Sequence, residues 1–230
     1  MKASIIPKNV ILNLIFLISL ILVLVITFFS EKIPLFISFG QEIETLLFRL
    51  SLSFLASYVF YFVVVHYKSY RDKQNLYPYV RGYTASILNK YEGLFNALKG
   101  AAYNDYEKHT YKTLNELSID SIEETLLHID VRTSAPLFSA HLGRNLNWIE
   151  YLVYTSNEIE KSIDDLLLVS SHLDSELIKI LFHIKVSSLF YLSRNLSTNL
   201  LGLKDNNFAV IKKDFYDFHL YCKSLADYTH

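Results

Sequence analysis

The chain has 230 residues, of which 51% are hydrophobic and 20% charged, and its formal net charge is −1. Four of its 22 basic and three of its 23 acidic residues precede His66, which leaves 18 against 20 behind it, a mildly acidic balance that excludes a phosphate-binding stripe for nucleic acid. Its single cysteine, Cys222, excludes an intrachain disulfide and a cysteine-based zinc site and fits a reducing compartment, while six glycines and four prolines point to long helices with few connections.

Two apolar spans come first. Residues 10–29 carry no charge, and residues 46–65 carry one, Arg49. About 20 residues at a rise of 1.5 Å make roughly 30 Å of helix, the thickness of a bilayer hydrocarbon core. The expected arrangement is a transmembrane hairpin over residues 1–67, with spans at about 10–29 and 46–65 and a short loop at 30–45. The first span is longer than the roughly 7–15-residue core of a signal peptide, and Thr27-Phe28-Phe29-Ser30-Glu31 lacks the small alternating residues that cleavage needs. An uncleaved anchor is expected.

The flanks give the orientation. Lys2 and Lys8 precede the first span, and Lys68, Arg71 and Lys73 follow the second, whereas the loop holds Glu31, Glu42 and Glu44 against Lys32. The positive-inside rule then puts both termini of this multi-pass arrangement in the cytoplasm and the short loop outside.

The two spans differ. The first is rich in Leu and Ile and reads as lipid-facing around most of its circumference, with only Asn13, Ser19 and Thr27 to vary it. The second places Arg49, Ser53, Ser57 and Tyr61 at i, i+4, i+8 and i+12, along one helix face, with Ser51 and Tyr58 widening the polar area. Such a face suits an oligomer seam or a small conduit, because hydrocarbon offers polar groups no partners. Alternatively Arg49 snorkels to the headgroups and the serines bond back to their own helix. Beyond the membrane, Tyr67, Tyr70, Tyr77 and Tyr79 form a tyrosine-rich neck, in part an aromatic belt.

From residue 68 onward the spacing is helical. Val80, Ile87, Leu88, Tyr91, Leu94, Phe95 and Leu98 predict a long amphipathic helix over about 79–102 that can continue the second span past Pro78. Shorter helices are expected at about 105–117 and 120–129, the latter capped by Asp120 and Ser121. Residues 131–143 read as an ordered loop, and a third long helix covers about 144–170. A fourth, about 174–195, is apolar on most sides and so central. Phe208, Ile211, Phe215, Phe218, Cys222 and Leu225 form a closing heptad seam after Asn206-Asn207. No strand pattern competes. The fold class expected is all-α, a transmembrane hairpin followed by a cytoplasmic antiparallel helical bundle over residues 68–230.

Motifs of known chemistry are absent from the sequence. No GxxxxGK[ST] or GxGxxG loop and no HExxH helix occurs, and the nearest ligand-like pairs (His128/Asp130, His172/Asp174, Asp217/His219) sit at i, i+2, which diverges by about 200° on a helix. Cys222 lies on an apolar seam, where a thiol serves as a small filler, although His219 is one turn away. No catalytic residue, metal or cofactor is expected. Arg144, Asn145 and Asn147 surround the only tryptophan, Trp148, a cluster that reads first as a bundle-end anchor with capping asparagines and, alternatively, as a patch for a partner or small ligand.

In overall layout (a short N-terminus, a close-set hairpin and a helical domain behind it) the chain resembles the small two-span effectors of bacterial anti-phage systems, such as those accompanying retrons. The resemblance implies a helical domain held in check by a regulatory partner until infection, followed by homo-oligomeric assembly of the spans and breach of the inner membrane. The alternative is a membrane-tethered scaffold or signalling module with no pore activity. Expected partners are the lipid bilayer, further copies of the chain and a regulatory protein.

Overall fold

The computed structural model describes residues 9–29, 40–103, 117–198 and 206–229. The described chain is mostly helical with one two-stranded antiparallel sheet, and it divides into two compact units, Met1–Leu76 and Tyr77–His230.

In the first unit α1 (Val10–Phe29) packs against α2 (Gly40–Phe60). Both helices are long and apolar enough to cross a membrane. On α1 the covered positions are Leu12, Asn13, Phe16, Ser19, Leu22, Val23 and Ile26, and on α2 they are Glu44, Phe48, Ser51, Phe54, Leu55 and Tyr58. This 3–4 spacing gives each helix a single seam and leaves its other sides bare. Among the described residues of this unit only Ser19 and Ser51 are buried, and side chains that small let two backbones approach closely.

The α2 backbone continues through a seven-residue π-helix, Tyr61–Tyr67, into α3 (Lys68–Tyr103). The helix expected from about residue 79 therefore starts earlier, and Pro78 lies within it. Proline removes one backbone donor, and the turns on either side carry the helix across.

The second unit is built on the rest of α3 with α4 (Ile119–Leu127), α5 (Trp148–Leu167), α6 (Ser175–Lys185), α7 (Ser188–Thr198) and α8 (Lys212–Thr229). Val80, Thr84, Ile87, Tyr91, Leu94 and Leu98 of α3 are buried at alternating steps of four and three. All six residues of the expected closing seam, Phe208 to Leu225, are buried as well. Helix α8 packs against α4, α6 and α7, and α5 packs against α6 and α7. The rings of Tyr91, Phe95, Phe190, Phe208, Phe215 and Phe218 meet at centroid distances of 4.8 to 6.0 Å and form an aromatic centre. Each such ring contributes about 1.5–3 kcal/mol by burial. Ion pairs at the rim, Lys90–Glu158 and Lys212–Glu123 among them, add about 0–1 kcal/mol each.

Four expectations need correction. A β-hairpin, β1 (Ser134–Ser139) and β2 (Arg144–Asn147), stands where a loop and the start of a helix were expected. Its polarity hid it, because Phe138 points outward at 61% exposure while Ser139 is half-covered, and only Leu146 of β2 is buried. The register also slips between Ser134 and Phe138, and Gly143, at φ +65°, forms part of the turn. Helix α5 accordingly begins at Trp148 rather than Arg144.

The apolar stretch at about 174–195 is two helices, not one. The chain breaks at Val186 and Ser187, and the buried Ser187 carbonyl accepts from Phe190 N–H to start α7. Each half has its own buried side, Leu177, Leu181 and Ile184 on α6 and Leu189, Phe190 and Ser193 on α7, while Phe182, Val186 and Tyr191 are exposed. Helix α4 is capped by Ser118, whose Oγ accepts from Ser121 N at 3.1 Å, so Asp120 lies in its first turn and is not the cap. The helix expected at about 105–117 falls almost wholly outside the described residues.

Candidate functional site: a membrane face and a partner patch

Helix geometry separates the polar residues of α2 into two faces. Steps of four drift by about 40° each, so Arg49, Ser53 and Ser57 stay within roughly 80°, whereas Ser51 is about 200° from Arg49. Arg49, Ser53 and Ser57 are exposed, on the side away from α1. Ser57 Oγ donates to the Ser53 carbonyl at 2.9 Å. Tyr61, three steps along, has drifted by about 120° and is half-buried at the start of the π-helix. It does not share the face of the other three.

Ser51 and Tyr58, expected to widen that polar area, belong to the α1 seam instead. The Tyr58 hydroxyl donates to Asn13 Oδ1 at 2.9 Å, and its ring stacks on Phe16 at 4.3 Å. In the sequence Asn13 lies in a stretch that reads as lipid-facing around most of its circumference. The signal was present nevertheless, since an amide in hydrocarbon needs a partner and Tyr58 is the polar residue at the matching depth of the returning helix. The π-helix has no sequence signature. It brings His66 within 6.5 Å of the Tyr61 ring and 5.9 Å of Phe62, and His66 Nε2 is buried without a hydrogen-bond partner among the described residues.

The second candidate cluster is organised by the start of α5. Asn147 caps it: its Oδ1 accepts from Glu150 N at 2.8 Å, and the Glu150 carboxylate accepts from Asn147 N at 2.8 Å, a reciprocal capping box. Arg144 donates to both Glu150 oxygens, at 2.9 and 2.7 Å, and to the Asn145 carbonyl. This guanidinium, with the Asn147 backbone, holds the Glu150 carboxyl below its ordinary pKa. Trp148 is 1% exposed, edge-on to Tyr151. Of the four residues, then, Trp148 lies in the core, Asn147 and Arg144 serve the helix start, and Asn145 is exposed on β2.

Asn147→Ala is expected to lower stability by about 1 kcal/mol, read as a shift in urea midpoint, because the Glu150 N–H loses its side-chain acceptor. Beside the cap a groove of about 590 Å³ runs between the hairpin and α5, lined by Leu137, Phe138, Leu146, Val153 and Tyr154. The sequence pattern gave no sign of it.

Among the described residues no group of three His, Cys, Asp or Glu side chains comes together. Burial pushes the Cys222 thiol well above its ordinary pKa, which makes it a poor nucleophile. His219 turns to α3, where Tyr91 Oη lies 2.6 Å from its Nδ1. Comparison with known protein families, curated proteins and solved structures gives no match.

Proposed function

We propose that the chain is a two-span inner-membrane protein that perturbs the bilayer by self-assembly of its second span, as an effector of bacterial anti-phage defence restrained by a partner protein. The observation that carries the reading is the division of polar residues on α2. Ser51 and Tyr58 are used up in the α1 seam, while Arg49, Ser53 and Ser57 point away from α1 amid exposed leucine and valine. A charged and hydroxylated strip on the outer side of a bilayer helix is stabilised by protein or water, not by acyl chains. A second copy offering the same strip supplies both. In this reading the termini are cytoplasmic, the basic flanks Lys68 and Arg71 lie inside and the acidic Glu42 and Glu44 outside.

A second reading, a tethered scaffold, draws on the Ser57–Ser53 bond, which satisfies one hydroxyl within its own helix. Expression in bacteria, alone and with the genomic neighbours, separates the two when membrane potential is followed with a dye. The effector reading expects depolarisation on triggering. Arg49→Leu with Ser53→Leu is expected to reduce it at least tenfold, the factor that about 1.4 kcal/mol of lost association corresponds to, while membrane insertion is unchanged. Unaltered potential under triggering, or full activity after exchange of the hairpin for an unrelated one, would leave the tether.

A further inference from the structure

We infer that the helix turn formed by Tyr67, Lys68 and Arg71 is a docking surface for the phosphate headgroups of anionic phospholipids. The inference rests on the membrane reading above and adds to it the lipid that the cytoplasmic end of the second span selects.

Val63, Val64 and Val65 are exposed apolar side chains, and the exposed residues that follow, up to the half-buried Asp72, are Tyr67, Lys68, Ser69 and Arg71. The change from hydrocarbon-like to basic surface is thus complete within one turn. Because the helical backbone does not break from Gly40 to Arg71, heights along that stretch follow from the rise per residue. Lys68 stands about 5 Å and Arg71 about 9 Å beyond Val65. The interfacial layer of a bilayer is roughly 5–8 Å deep on each side, so both cations reach it, Arg71 by leaning back along its own stem.

At 100° per residue, Tyr67, Arg71 and Lys68 also fall within about 100° of one another, on one side of the helix. Among the described residues neither Lys68 nor Arg71 forms an ion pair. The opposite end of α2 carries Glu42 and Glu44, so the two ends of the span present opposite charge. Two cations flanked by an interfacial tyrosine match a surface of phosphodiesters, and the match is continuous with the apolar span that would bring the lipids there. Lys73, the next basic residue along, is half-buried, so the exposed basic surface of this unit lies in this turn.

The test uses the full chain reconstituted in mixed vesicles of phosphatidylcholine and phosphatidylglycerol. Spin-labelled forms of each lipid report the fraction held at the protein boundary. Phosphatidylglycerol is expected to be enriched several-fold over phosphatidylcholine, since one surface cation is worth about a fivefold change in partition. Lys68→Gln with Arg71→Gln is expected to bring the ratio close to one, as is high salt. Inorganic phosphate at matched ionic strength is expected to act no differently from chloride. A specific loss of enrichment on adding phosphate would mean a site for free phosphate and overturn the inference. So would equal boundary fractions in the unmodified protein, or an enrichment that survives the double substitution. Retention after alkaline carbonate washing reports separately on the membrane reading: a chain that washes off defeats both, and a retained chain without lipid preference defeats only this one.

Discussion

Phe218→Ala is expected to destabilise the second unit by about 3–5 kcal/mol, the usual cost of deleting a buried phenyl ring. Phe218 has no exposed surface, and its ring lies 5.6 Å edge-on from Tyr91 of α3 and 5.3 Å from Phe190 of α7. One side chain of α8 thereby holds two other helices. The walls of the resulting void are aromatic rings braced in turn by Phe95 and Phe215, at 4.8 and 5.8 Å, so collapse into it is hindered. Domains are stable by about 5–15 kcal/mol, and a loss of this size removes about a fifth or more of that margin.

Trp148 makes the measurement clean, because it is the only tryptophan and is buried in the same unit. Urea unfolding of the full chain in detergent micelles, followed by its emission, reads the helical unit while the hairpin remains silent. Phe138→Ala, at an exposed phenyl, is the control and is expected to change stability by less than about 0.5 kcal/mol. A loss below about 1.5 kcal/mol for Phe218→Ala would mean that the aromatic centre is loosely packed.

The residues that make this centre were legible in the sequence because α3 and α8 keep a strict alternation of three and four over many turns, and both helices bury the face that alternation marks. Legibility failed where a short element carried the wrong polarity. The outward Phe138 and the covered Ser139 reverse the rule that reveals a strand, and the slip in register removes the period that would have compensated. The break at Val186 and Ser187 failed for a different reason. Two short helices with separate buried sides, read as one, look apolar all round.

The polar face of α2 was half legible. The polar residues of α2 were visible, but counting steps of four conceals a drift of about 40° per step, and only the packing of α1 shows which of them are already occupied. Asn13 and Tyr58 could have been paired on the principle that an amide in a span needs a partner. Arg144, Asn147 and Glu150 show the reverse case: a cluster that reads as a recognition patch is explained, in three of its contacts, by the start of a helix.

Acidification below about pH 6.5 is expected to weaken the second unit through His219. Its ring is 2% exposed and faces Tyr91 and Lys99 of α3, with Tyr216, Cys222 and Lys223 of its own helix around it. Burial first, then the positive charges of Lys223 and Lys99, push its pKa below the ordinary imidazole value. Burial pushes the Tyr91 hydroxyl well up, so the phenol stays protonated and donates to Nδ1 in the neutral tautomer that carries its proton on Nε2.

The folded value lies below that of the unfolded chain, so the unfolded chain binds the extra proton. Stability is therefore fully present above about pH 6.5 and is lost as the pH falls towards the folded value, by up to about 1.4 kcal/mol per pH unit. His219→Asn, which keeps an acceptor near the Nδ1 position and cannot titrate, is expected to flatten that slope. Tyr91→Phe leaves Nδ1 buried without its donor and is expected to cost about 1–3 kcal/mol at pH 7.5. Protonation turns Nδ1 from acceptor into donor, to which the phenol oxygen must then turn as acceptor, so the cost of the same substitution is expected to differ at pH 5. A penalty for Tyr91→Phe that is equal at both pH values would show that the hydrogen bond does not depend on a neutral imidazole, and the pH dependence would then have to come from other groups.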